Sequence, residues 1–142
     1  MNIISATDFT DNARRAADAA VSIAERFNVN LTLVHAVNRP ALRSLPAAMH
    51  DTWTGEATAA LRKLSDQLSF RDPDVASKLL IGTPDEAIIE YARETRPDLI
   101  VMGSLGVRSM DEWVLGSTAE RVTDSSPAPI LLVREADPFR NW

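Results

Sequence analysis

Three of the chain's five glycines fall in one segment, MGSLGVRSMDEWVLGST, residues 102–118. Two residues separate Gly103 from Gly106, and nine more separate Gly106 from Gly116, which Ser117 and Thr118 follow directly. Glycine carries no Cβ, so the amides of such a loop can approach an anion and turn toward it. Gly116-Ser117-Thr118 reads as a helix start, where unpaired N–H groups and the helix dipole favour negative charge. Both pieces suit phosphate. Spacing alone leaves a second reading open, in which Gly103 and Gly106 make a turn and Ser117 caps a helix. Asp8, in ATDFT, could accept from an adenine amino group or a ribose hydroxyl. Equally, it could close a turn or cap a helix.

Other chemistries lack their markers. His35 lies in an apolar run and reads as a hydrogen-bonded structural residue rather than a base. His50 falls in a proline-containing stretch with no visible partner. There is no H-E-x-x-H, no two-histidine metal spacing and no G-x-S-x-G elbow, and no base stands near Ser117 or Thr118. The absence of cysteine removes disulfides, thiolate metal sites and a cysteine nucleophile. No protein side chains are expected to hold a metal directly.

The elements that would position these residues follow from periodicity. Apolar runs at 2–6, 30–37, 75–81, 98–102 and 129–133 read as strands. The second, fourth and fifth are apolar at almost every position, as in a parallel sheet covered on both faces. Helical patterns lie between them. Residues 11–27 carry Ala16, Ala20, Ile23 and Phe27 at helical spacing, and residues 51–70 place Trp53, Ala57, Ala60, Leu61, Leu64 and Leu68 on one face. Residues 83–95 open with Thr83, Pro84 and Glu86, a capping-box pattern with proline at the first helical position, and Pro97 stops them. A shorter helix is expected over 117–126. Residues 38–50 read as a mobile loop and 135–142 as a short tail without pattern.

Strict β-α alternation implies right-handed crossovers and a doubly wound α/β fold. In such sheets ligands bind beyond the carboxyl ends of the strands, which selects the segments after strands one, two and four. A chain of 142 residues with 45% hydrophobic content can bury a core as one domain, 1–142. The N-terminus lacks a basic start and a long apolar run, and no segment is apolar enough to span a bilayer, so a soluble cytoplasmic protein away from membranes is expected. A net charge of −5 without a basic block argues against a nucleic-acid partner.

The glycine spacing Gly103-x2-Gly106-x9-Gly116-Ser117 resembles the signature of the universal stress protein family. ATDFT resembles the family's opening segment, LVHAV its second strand, PDLIVMGSLG its fourth strand and loop, and the prolines before ILLV the lead into its last strand. The resemblance covers nearly the whole chain. It implies a Rossmann-like fold of strand order 3-2-1-4-5 and a homodimer formed through the last strand. One branch of the family binds ATP and carries the complete glycine signature; another lacks it and binds no nucleotide. This chain resembles the first.

The resemblance implies a role for each matching position. Asp8 would face the adenine and ribose. The Ala36 backbone would lie beside the base, and Met102 and Gly103 would begin the wall. Gly106 would let the loop approach the ribose and phosphates, while Gly116, Ser117 and Thr118 would hold the phosphates. The glycines would then cluster because their backbone approaches a nucleotide. Leu105 and Val107 stand where many members carry basic residues, and Ala36 is smaller than the usual valine. That thins the cations near the phosphates; Arg108 could supply one, and Mg²⁺ could supply the rest. The implied function is an adenine-nucleotide-binding regulator of stress response, holding ATP, ADP or AMP with slow or no turnover. Two readings compete. A dimeric interaction module with an empty pocket fits the thinned cations, whereas an ATP-processing enzyme on a related fold would carry glycine directly after strand one, where this chain has ATDFTDNA.

Overall fold

Strands buried on both faces need apolar side chains at consecutive positions, because neighbouring residues point to opposite sides. The computed structural model describes residues 1–38, 43–71, 75–105 and 115–134. Over them the chain runs β1 (Asn2–Ala6), α1 (Asp11–Phe27), β2 (Asn30–Val37), α2 (Ala47–Leu68), β3 (Val75–Ile81), α3 (Pro84–Thr95), β4 (Leu99–Gly103), α4 (Ser117–Ser125) and β5 (Ile130–Val133). The strands form one parallel sheet in the order β3-β2-β1-β4-β5. Both the α/β class and the expected strand order are observed.

The alternation of side chains divides the core in two. Ile3, Leu31, Leu33 and Val101 pack on one face with Ala16, Ala17 and Ala20 of α1 and Leu61 and Leu68 of α2. Ile4, Val34, Ile100 and Met102 pack on the other with Ile88, Ile89 and Ala92 of α3 and Ala119 and Val122 of α4. Thus the runs that are apolar at almost every position serve two layers at once, as expected of strands covered on both faces. The direction of winding switches between β1 and β4, where a crevice opens at the carboxyl ends of the strands.

Several local expectations change. Phe27 shares the spacing of the α1 core residues but is 58% exposed, because the helix ends there and Asn28 turns the chain away at φ 53°. Helix α2 begins at Ala47, directly after Pro46, so residues 47–50 of the expected loop are helical; residues 39–42 lie outside the described residues. His50 is therefore a helical residue, and its Nε2 lies 3.0 Å from the Leu45 carbonyl. Only Leu61, Leu64, Ser65 and Leu68 of α2 are buried. Trp53 is 43% exposed, because the N-terminal half of the helix carries no buried residue and the packing on the sheet comes from its later turns. Pro84 does start α3, but Thr83 makes no side-chain capping bond, so the reciprocal capping box is not formed. Arg96, left-handed at φ 48°, ends that helix just before Pro97. The 135–142 tail lies outside the described residues.

Candidate functional site

The β1–α1 turn sets the first wall. The Thr7 amide extends the pairing of β1 by donating to the Val34 carbonyl (2.9 Å), and the Phe9 amide donates to the Thr7 hydroxyl (3.0 Å). Phe9 adopts φ 64°, an unusual conformation for an aromatic residue. Asp8 Oδ1 accepts from both the Thr10 amide and the Thr10 hydroxyl. Thr10 in turn caps α1, its Oγ1 accepting from the Ala13 amide at 3.2 Å. Asp8 therefore closes a turn and orients the cap without being the cap itself. Its Oδ2 takes part in no hydrogen bond among the described residues.

His35, at the end of β2, is held against this turn. Its Nδ1 lies 2.7 Å from the Thr7 carbonyl, which can only accept, so Nδ1 is the donor of that bond. The ring also packs against Phe9 at a centroid distance of 4.5 Å. His35 is hydrogen-bonded to this turn, and it also lines the crevice.

The exit of β4 is clamped by a residue that sequence reasoning missed. Asn12, only 6% exposed near the start of α1, accepts from the Leu105 amide at 2.9 Å through Oδ1. Its Nδ2 donates to the carbonyls of Val133 (3.1 Å) and Arg134 (2.9 Å). One amide side chain thus ties the first residues of the glycine segment to α1 and to the end of β5. Gly103 lies directly against it: a Cβ there would fall 2.2 Å from Asn12 Oδ1 and 3.3 Å from the Ala13 amide nitrogen. For this glycine the neighbour that a side chain would meet is Asn12, a reason for glycine that neither the turn nor the ligand reading named. Positive φ is not the reason either, since among the described glycines only Gly82 has it.

Gly116 is the N-cap of α4, with φ −61° and ψ 147°, and its own amide donates to the Ser104 carbonyl at 2.7 Å. Ser117 is the first helical residue, so the alternative in which it caps the helix does not hold. Because glycine offers no side chain, the first turn of α4 has no side-chain cap. That turn, Asp8, the backbone of β2 and the start of α3 surround a cavity of about 500 Å³. Small-ligand sites typically measure about 300–1,000 Å³. Seven of the nine candidate binding residues meet on its wall: Asp8, Ala36, Met102, Gly103, Gly116, Ser117 and Thr118. Gly106 and Arg108 lie outside the described residues. Among the described residues no cluster of three or more potential metal-ligating side chains occurs, and no helix is long and apolar enough to cross a membrane.

The model of the universal stress protein family matches residues 1–134. The chain belongs to the universal stress protein family. A universal stress protein of Methanocaldococcus jannaschii is 30% identical over 138 residues, covering 94% of this chain and 81% of its own. The solved structure of universal stress protein UspA from Lactobacillus plantarum is 30% identical, with a TM-score of 0.83 over 94% of this chain and 97% of its own. A universal stress protein solved in complex with cAMP is 26% identical, with a TM-score of 0.74 over 94% of this chain and 96% of its own.

Within this family fold the cavity also gathers residues that sequence reasoning left aside. Thr83, Pro84 and Asp85 enter from the start of α3, and Arg121 from the second turn of α4. A legible signal existed for Arg121, which stands four residues after Ser117 and so shares its helical face. None existed for Asn12, whose partners lie about ninety and more residues away along the chain.

Proposed function

We propose that the cavity binds an adenine nucleotide, ATP with Mg²⁺ in the first instance, and that the protein is a cytoplasmic, homodimeric regulator in stress response with slow or no turnover. The observation that carries this reading is the shared cavity. An uncapped helix start suited to phosphate and a carboxylate suited to adenine or ribose face the same space. The family relative bound to cAMP supports the ligand class. On this reading Asp8 faces the adenine and ribose, and the Ala36 backbone lies beside the base. Met102 and Gly103 form the wall, and Gly106 approaches the ribose and phosphates. Gly116, Ser117 and Thr118 hold the phosphates, with Arg108 a further contact.

Thermal unfolding with and without saturating Mg-ATP tests the reading. A ligand that binds only the native state at a hundred times its dissociation constant stabilises it by about 2.7 kcal/mol. Wild type should show a gain of that order. Asp8→Ala should lose most of it, while its stability without nucleotide falls by about 1 kcal/mol through the weakened Thr10 cap. If wild type gains nothing from ATP, ADP or AMP, the nucleotide reading fails and the dimeric module with an empty pocket replaces it.

The dimer is proposed through β5. Among the described residues this strand pairs only with β4, and Ile130, Leu131 and Leu132 are only partly buried along that edge. An apolar edge strand invites pairing with a second chain. Light scattering at micromolar concentration should give twice the 15.6 kDa chain mass. The monomer mass would overturn the proposal.

A further inference from the structure

The cavity wall carries two carboxylates, Asp8 and Asp85, and, among the described residues, a single permanent cation, Arg121. Among the described residues, Arg121 is therefore the wall's one side-chain counter-charge for a polyphosphate. Leu105, at the exit of β4, lines the same cavity and adds no charge.

The position of Arg121 suits the task. It follows Ser117 by four residues and Thr118 by three, so the three side chains share one face of α4. Long side chains on a helix lean toward its N-terminus, and that direction leads from Arg121 to the uncapped first turn. Its present partner holds it loosely. Arg121 Nη1 lies 3.8 Å from Asp85 Oδ1, beyond hydrogen-bond distance, and the arginine side chain is 65% exposed against 14% for the aspartate. A pair of this kind adds little to stability, so opening it costs little. Asp85 also has an independent reason to be where it is. It sits in the first turn of α3, where the helix dipole favours a carboxylate whether or not Arg121 is near.

We propose that Arg121 is the cation that recognises the phosphates of the nucleotide, and that Asp85 is the counter-ion it leaves when they arrive. This inference rests on the nucleotide reading of the cavity and adds to it the group that discriminates by charge. It makes affinity rise with phosphate number, from adenosine through AMP to ATP, and makes the ATP arm fall with added salt.

Calorimetric titration of ATP and of adenosine into the full chain separates the possibilities. Arg121→Gln should weaken ATP by about tenfold or more, as loss of a charge-assisted bond requires, and leave adenosine unchanged. Asp85→Asn should tighten ATP by roughly threefold, because it removes the competitor, again without effect on adenosine. The melting temperature of each variant without ligand checks its fold directly. The inference is overturned if Arg121→Gln leaves ATP affinity unchanged, or weakens ATP and adenosine alike, or if Asp85→Asn weakens ATP. A wild-type chain that binds ATP while these variants behave in that way sinks this inference alone. A wild-type chain that binds neither ligand sinks the nucleotide reading and this inference with it.

Discussion

Gly103→Ala should destabilise the protein by about 3 kcal/mol in the absence of any nucleotide, lowering the melting temperature by roughly 10 °C for a domain of this size. The new Cβ would lie 2.2 Å from Asn12 Oδ1. A flexible side chain could swing aside cheaply, but Asn12 is not free to do so. It is 6% exposed and makes three hydrogen bonds through both ends of its amide. Yielding to the Cβ means giving up bonds inside the core, and the backbone of Ala13, 3.3 Å away, limits any shift of Gly103 itself. Overpacking and lost hydrogen bonds therefore add. The measurement is chemical or thermal unfolding of the ligand-free variant. A loss below about 1 kcal/mol there, combined with a lost response to ATP, would restore ligand approach as the whole reason for this glycine.

The same position shows how far the sequence could be read. The spacing of Gly103, Gly106 and Gly116 pointed to a place where backbone must come close to something, and the cavity stands there. What it could not name was the neighbour. Glycine is required equally by a ligand, by a positive φ and by another side chain, and only the three-dimensional contact with Asn12 decides between them. The elements were more legible. β1, α1, β2 and β3 fall on the residues expected, because apolar runs of strand length alternate with helical spacing and each reports a local period. The start of α2 at Ala47 was hidden because its first turns carry no buried face, and burial is what periodicity detects. Trp53 misled for the same reason: it has the right spacing for a core face on a stretch of helix whose buried residues begin only at Leu61. Thr83 had the residue types of a capping box, yet the pattern specifies composition and not the rotamer that makes the bond. At the site, the turn-closing reading of Asp8 was legible in ATDFT, but its partner Thr10, which is the helix cap in its place, was not.

Asn12 itself carries the other large expected effect. Asn12→Ala removes the acceptor of the Leu105 amide and a donor to each of the Val133 and Arg134 carbonyls. The variant should lose about 2 kcal/mol, because three hydrogen bonds go at once and the one to the Val133 carbonyl is buried. Shape and bonding can be separated by combining Asn12→Ala with Gly103→Ala. With Asn12 shortened, the Cβ introduced by Gly103→Ala enters space that the amide has vacated, so the second substitution should cost far less than it does in wild type. The double variant should therefore be more stable than the sum of the single losses predicts, by about 1–2 kcal/mol, which is the scale of coupling between residues in direct contact. Additive losses would show that Gly103 is required for a reason other than Asn12. The functional consequence follows from where the clamp sits. Asn12 fixes the residues at which the chain leaves β4 for the glycine segment, and through Val133 and Arg134 it fixes the end of the strand proposed as the dimer edge. If the nucleotide reading holds, Asn12→Ala should weaken ATP binding without touching a ligand contact, and Asn12→Asp, which would set a carboxylate oxygen against the Val133 and Arg134 carbonyls, should not rescue it.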